Sequence, residues 1–309
     1  MHDFRHEALF YSGEEEFLAG TVPFVRDGLW AGEPVLVAVG ERKTTALKRA
    51  LGGDTDAVQF VKMEALGRNP ARIIPAWREF VGGRRASVRP LRGIGEPVWP
   101  GRSPAEVVEC HHHESLLNVA FADTPAFWLL CPYDTAALDP AVVAEARATH
   151  PFITEGTTSR PSDRYAHELP PSPFHGALPP PAGKPGMLAF GAHQLRRVRH
   201  YVAGRAEVAG LSAERASGLV LAVSEVATNS VIHGGGHGTL RVWTENGSLM
   251  CEVRDDGTLT DPLAGRVRPM PAQADGRGLW LANHLCDLVQ IRSSRNGNVV
   301  RLHMALSRP

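Results

Sequence analysis

The stretch Ser224-Glu225-Val226-Ala227-Thr228-Asn229-Ser230-Val231-Ile232-His233 sets a carboxylate, an amide and an imidazole at four-residue steps inside an otherwise apolar pattern. On a helix that spacing stacks side chains along one face, so Glu225, Asn229 and His233 are expected on a common edge while Val226 turns toward a core. Downstream, Asp255-Asp256-Gly257 ends a strand-like run and Gly276-Arg277-Gly278-Leu279 opens a helix-like run. Taken singly, each piece is commonplace: a Glu and Asn on a helix usually form a solvated edge, Asp-Asp-Gly a turn, and Gly-Arg-Gly a helix start. In this order and at this spacing they read as a nucleotide pocket.

The chemistry is consistent with that reading. Glu225 is suited to polarise a water or hydroxyl for attack on a γ-phosphate, and Asn229, one turn on, to hold a magnesium ion whose other ligands come from phosphates. At the end of a strand Asp255 can accept the exocyclic amine of adenine, and Gly257 lets the backbone approach the base. Gly276 and Gly278 place free amides at a helix N-terminus, where phosphate oxygens are well held.

Outward from the pocket, Leu195, Val198, Val202 and Ala206 mark the inner stripe of one helix. Ser212 is placed to cap the next, whose stripe is Leu219, Ala222, Val223 and Val226. Runs at 239–244 and 249–253 flank Asn246-Gly247, a hairpin signal, and 288–292 with 299–306 form a second hairpin around Asn296-Gly297. Two or three helices on one face of a mixed sheet define an α+β two-layer sandwich over 187–309.

From about Pro151 the composition shifts, and Pro161, Pro170, Pro171, Pro173, Pro179, Pro180, Pro181 and Pro185 rule out regular helix and interior strand. The segment 156–186 is therefore expected to be a linker. Before it, 34–39, 58–61 and 127–131 are short apolar runs typical of strands buried on both faces. Helical patterns at 14–27, 43–51, 71–81, 104–120 and 140–149 alternate with them, implying a doubly wound α/β domain over 1–155.

Across the 309 residues, 33 Lys and Arg balance 33 Asp and Glu, so net charge gives no reason to expect direct DNA binding. The N-terminus lacks a basic region followed by an apolar core, and no run approaches the about 18 apolar residues of a membrane span, so no membrane insertion and a cytoplasmic location are expected. Cys110, Cys131, Cys251 and Cys286 form no C-x-x-C pair and read as reduced, mostly buried thiols. Cys110-His111-His112-His113-Glu114 invites a metal or haem reading, but adjacent helical residues point about 100° apart, so at most one or two could share a metal.

The boxes Glu225-x-x-x-Asn229-x-x-x-His233, Val253-Arg254-Asp255-Asp256-Gly257 and Gly276-Arg277-Gly278-Leu279-Trp280-Leu281 resemble the N, G1 and G2 boxes of the GHKL ATPases, which have the Bergerat fold, and more closely the anti-sigma serine/threonine kinases of the RsbW type. The resemblance implies ATP and Mg2+ as cofactors, with Glu225 the catalytic base, Asn229 the magnesium ligand and Asp255 the adenine contact. His233 and Gly257 fall within the same boxes, and Gly276, Arg277, Gly278 and Leu279 would belong to the lid and phosphate grip. It also implies that the domain binds a sigma factor or phosphorylates an antagonist with a STAS fold. Thr258 and Leu259 stand where the family commonly has a second glycine, and Gly297-Asn298-Val299 where many members open the last strand with threonine. A catalytically inactive switch that sequesters its partner is the alternative, and a homodimer is left open.

The first domain resembles the MEDS domain, the sensory module named for methanogen and methylotroph DcmR proteins. The resemblance is carried by His6 with Leu9-Phe10-Tyr11, Phe24-Val25-Arg26-Asp27-Gly28-Leu29, Gly67-Arg68-Asn69-Pro70, His113-Glu114-x-x-x-Asn118 and Cys131-Pro132-Tyr133-Asp134. It implies a small-molecule signal, with His6, Tyr11, His113, Glu114, Asn118 and Tyr133 as candidate pocket residues.

Overall fold

The computed structural model describes residues 4–83, 89–124, 126–156, 158–166, 176–270 and 276–306. The chain divides into two compact units, Met1–Pro170 and Pro171–Pro309.

In the first unit, strands β1 (Arg5–Tyr11), β2 (Val35–Val39), β3 (Val58–Lys62), β4 (Leu91–Gly95), β5 (Phe127–Asp134), β6 (Phe152–Glu155) and β7 (Thr158–Pro161) form one sheet in the order β3-β2-β4-β5-β1-β6-β7. Every neighbouring pair is parallel except β6 with β7. The connecting helices are α1 (Gly13–Trp30), α2 (Glu41–Leu51), α3 (Met63–Leu66), α4 (Ile73–Gly82), α5 (Pro104–Ala120) and α6 (Pro140–Thr149). The first two connections run toward one edge of the sheet and the later ones toward the other. Right-handed crossovers then put α1 and α2 on one face and α4, α5 and α6 on the opposite face, the doubly wound arrangement expected from the alternating pattern.

Successive side chains of β1 alternate between these faces. Leu9 and Tyr11 enter the core with Phe17, Val25 and Leu47 of α1 and α2, whereas His6 reaches Glu114 of α5. Glu7 is buried, yet it accepts hydrogen bonds from Arg5 Nε (2.8 Å), Trp128 Nε1 (2.9 Å), Ser159 Oγ (2.5 Å) and the Thr154 hydroxyl. Burial pushes its pKa up, but the bonds from Ser159, Thr154 and Arg5 outweigh that and hold the carboxyl below its ordinary value.

Part of the segment expected to be a linker is strand β7, which pairs with β6 at the sheet edge and carries Pro161 at its end. Proline is tolerated there because an edge strand needs no N–H on its outer side. Pro170, Pro171 and Pro173 lie outside the described residues.

The second unit contains β8 (Gly186–Gly191), α7 (Leu195–Val208), α8 (Ala213–His233), β9 (His237–Glu245), β10 (Ser248–Asp255), α9 (Arg277–Leu285), β11 (Leu288–Ser294) and β12 (Gly297–Ala305). The sheet order is β11-β12-β10-β9-β8. All four pairings are antiparallel rather than mixed. The reason lies in β11, which returns after α9 in the direction of β10 but does not pair with it; the β11–β12 hairpin folds back and β12 takes the place between them.

The turn of the β9–β10 hairpin has both Asn246 (φ 49°) and Gly247 (φ 70°) in the left-handed region, as a two-residue hairpin turn requires. The expected helix stripes Val198, Val202 and Ala206, and Leu219, Ala222, Val223 and Val226, pack on Leu240, Val242, Cys251, Val253 and Leu302. On the other face of the sheet, buried Glu252 accepts hydrogen bonds from Arg254 Nε (2.7 Å) and from Arg301 Nε and Nη2 (2.9 and 2.6 Å). Arg301 Nη2 also donates to the Pro179 carbonyl (2.8 Å), fixing that part of the proline-rich segment to β12.

Helix α5, which carries His113, Glu114 and Asn118, starts with a reciprocal cap: Ser103 Oγ accepts from Glu106 N (3.3 Å) and Glu106 Oε2 accepts from Ser103 N (2.8 Å). Ser103→Ala is expected to cost about 1 kcal/mol of first-unit stability, read as a lower denaturant midpoint with an unchanged slope.

Candidate functional site

Glu225 and Asn229 lie half-buried on α8 where α9 begins. The contact between the helices is at Gly278: a Cβ there would lie 3.1 Å from Asn229 Nδ2, 3.2 Å from Glu225 Cβ and 3.3 Å from Glu225 Oε2. Glycine is what allows the first turn of α9 to reach the carboxylate and the amide. The helix starts from Gly276, whose φ of 85° is left-handed and which has no side chain to cap the first-turn amides. Those amides and the helix dipole favour an anion at this end. Gly276 and Arg277 are exposed, and Leu279 is half-buried against the core.

One turn along α8, the carboxylate of Asp255 collects three donors. Oδ1 accepts from Gly257 N (2.9 Å) and Asn298 Nδ2 (2.8 Å), and Oδ2 accepts from Ser230 Oγ (2.6 Å). Gly257 is tightly enclosed, since a Cβ would meet the His233 carbonyl oxygen at 2.7 Å. The His233 side chain itself is exposed, so the structure brings its backbone rather than its imidazole to the site. Asn298 pairs in register with Asp255 across β10 and β12, and its Oδ1 accepts from Ser293 Oγ (2.6 Å), which in turn accepts from Leu259 N (2.9 Å). The chain after Gly257 is thus tied to the end of β11. Sequence reasoning missed Ser230, Ser293 and Asn298; the signal for Ser230 was its place on α8 one residue past Asn229, on the side turned to the sheet.

In the first unit the candidate pocket residues separate. His6 Nε2 lies 3.0 Å from Glu114 Oε2 and His6 Nδ1 3.0 Å from Asn118 Oδ1. Burial, with His150 beside it, lowers the His6 pKa to about 4. Tyr133 is edge-on to His150, ring centroids 5.6 Å apart. Tyr11 lies on the opposite face of the sheet, where its hydroxyl donates to Glu96 Oε1 (3.1 Å) and Lys43 pairs with the same carboxylate. His113 is buried next to Glu114, whereas His111 and His112 are half-buried, as their differing directions around α5 require. All four cysteines are buried and unpaired. Cys131 and His150 stand beside His6 and Glu114, and neither was marked as a site residue by sequence.

An antiparallel sheet under three helices, with a carboxylate and amide facing a glycine-opened helix and an aspartate at a strand end, defines a nucleotide-binding domain of the histidine kinase type. The comparisons agree. Residues 189–304 match the family of the histidine kinase-like ATPase domain, and residues 5–151 match the MEDS family, the MEthanogen/methylotroph, DcmR Sensory domain. The chain therefore carries a MEDS sensory domain followed by a histidine kinase-like ATPase domain. The second of these families implies ATP as the ligand. No curated protein matches the chain. Among solved structures, it is similar to the RsbU and RsbW domains of a Mycobacterium tuberculosis protein, at 21% identity over 40% of this chain and 33% of that one, with a TM-score of 0.31. The chain spans about a third of that relative's length. Among the described residues no helix is long and apolar enough to cross a membrane.

Gly278→Ala is expected to displace Asn229 and Glu225 and to weaken Mg-ATP binding by about tenfold, equivalent to ~1.4 kcal/mol. Calorimetric titration, with circular dichroism to confirm the fold, checks it.

Proposed function

We propose that the chain is a signal-responsive regulator whose second domain binds Mg-ATP and transfers the γ-phosphoryl group to a serine or threonine of a partner antagonist of STAS type, or binds a sigma factor. The observation that carries this reading is the seating of Gly278 against Glu225 and Asn229, which brings a helix N-terminus whose N-cap residue has no side chain, a carboxylate and an amide to one point. Asp255 Oδ2 accepts one hydrogen bond, from Ser230, and keeps a second lone pair for the exocyclic amine of adenine.

Bound Mg-ATP supplies the phosphoryl group and the charge-neutralising ion. Glu225 would take the proton of the partner hydroxyl as its oxygen bonds to the γ-phosphorus and the bond to ADP breaks, ADP leaving; Asn229 would hold the magnesium ion, and the first-turn amides of α9 would grip phosphate oxygens. Signal binding in the MEDS domain would set whether this site is available to the partner.

One feature speaks for the alternative, a non-catalytic switch. Leu259, standing with Thr258 where a second glycine would loosen the chain, has its N–H tied to Ser293. Stable complex formation with a candidate partner and no phosphate transfer would establish that alternative.

The deciding experiment titrates Mg-ATP into wild type and Asp255→Ala and follows phosphate transfer in parallel. Wild type binds and Asp255→Ala does not; absence of binding to wild type overturns the reading. Glu225→Ala is expected to retain ATP affinity within a few-fold, about 1 kcal/mol, and to lose transfer by about 10²–10⁴-fold.

A further inference from the structure

On the α5 and α6 side of the first sheet, four fully buried residues converge: His6 of β1, Glu114 of α5, Cys131 of β5 and His150 just after α6. Each offers one ligand atom, and these atoms all lie within 4.8 Å of one another. The separations are 3.0 Å between His6 Nε2 and Glu114 Oε2, 3.3 Å between His150 Nε2 and Glu114 Oε2, and 3.5 Å between Cys131 Sγ and His6 Nε2. A tetrahedral zinc site with bonds of about 2.05 Å to N or O and about 2.3 Å to S has edges of about 3.3 Å between N and O and about 3.6 Å between N and S. The three separations lie within about 0.3 Å of those edges, and the other ligand atoms stay within 4.8 Å of one another.

The proton positions point the same way. His150 Nδ1 faces the Ala146 carbonyl oxygen at 2.7 Å, and a carbonyl can only accept, so Nδ1 carries the proton. Asn118 Nδ2 donates to the Thr149 carbonyl (2.8 Å), which turns Asn118 Oδ1 toward His6 Nδ1 and fixes the proton there too. With Nδ1 protonated on both rings, each neutral imidazole turns its Nε2 lone pair toward the Glu114 carboxylate, and His150 Nε2, 3.3 Å from Glu114 Oε2, has no well-directed hydrogen bond among the described residues. A single proton can bridge only one of the two contacts to Glu114 Oε2, so one histidine lone pair would still face a carboxyl oxygen with no proton between them, and a buried polar atom so placed is costly.

We propose that His6, Glu114, Cys131 and His150 bind one divalent transition-metal ion, zinc being the best fit, inside the first domain. Two neutral imidazoles, a carboxylate, a thiolate and a dication sum to zero charge, which suits a site closed to water; binding sends the Cys131 thiol proton to solvent. The sulfur and nitrogen donors select against magnesium and calcium. Four protein ligands leave no open position, as in structural sites. Asn118 and the Ala146 carbonyl orient the two rings, as outer partners of metal-bound histidines do.

The test uses the full chain, purified under reducing conditions and dialysed. About one equivalent of metal per chain is expected by elemental analysis, and cobalt(II) added to the stripped chain should show thiolate-to-cobalt charge-transfer absorption. Cys131→Ala and His150→Gln should lose the tight equivalent, and Asn118→Ala should weaken cobalt binding by about 10–100-fold. No metal uptake by wild type, a cobalt spectrum without a thiolate band, or uptake unchanged in the Cys131→Ala/His150→Gln pair would overturn the proposal. Should those variants fail to fold, a chain carrying Cys110→Ala, Cys251→Ala and Cys286→Ala decides, because its thiolate band must then come from Cys131: presence supports the site and absence refutes it.

Discussion

The carboxylate of Asp255 fixes α8, the turn after β10 and the start of β12 with three hydrogen bonds, from Ser230, Gly257 and Asn298. Hydrogen bonds to charged groups contribute about 1.5–3 kcal/mol each, less where solvent competes, as at this half-buried side chain. The geometric effect exceeds the energetic one. Once Ser230 is held, the helical rotation of α8 is set, and Asn229 and Glu225, one and five residues earlier, are turned toward α9. Asp255 and the Glu225–Asn229 pair are thus parts of one rigid arrangement.

Both units bury a strand carboxylate and satisfy it from the sheet. Glu7 on β1 is gripped by Arg5, Trp128, Thr154 and Ser159, and Glu252 on β10 by Arg254 and Arg301. Removing one partner of such a buried pair leaves an uncompensated charge, commonly costing about 3–5 kcal/mol, although apolar replacements of the whole group can be neutral. These carboxylates are better understood as fixing strand register than as adding stability.

Much of the second unit was legible in the sequence because its determinants are local. The helix stripes, the Ser212 cap and the Asn246-Gly247 turn each act within a few residues. The sheet was legible in content but not in order, since no local signal says that β12 displaces β11 from the side of β10. In the first unit, β1 was not marked as a strand: Arg5-His6-Glu7 looks polar, and its burial is tolerated only because partners more than a hundred residues away satisfy it. Leu91-Arg92-Gly93-Ile94-Gly95 was hidden by its glycines, which leave room for Trp77. His150 gave no signal at all, since its neighbours in space come from β1, β5 and α5.

Strand β7 has a further consequence. Its four residues are exposed, Arg160 is paired with Glu155, and Pro161 lacks an N–H. An otherwise parallel, hydrophobic sheet ends here in a short, charged, proline-terminated border, the kind of margin that discourages another chain from adding a strand. On this side the sensory sheet is sealed against growth into fibrils and against recruitment of an extended peptide. Communication with other molecules must then use side-chain surfaces rather than backbone pairing along β7.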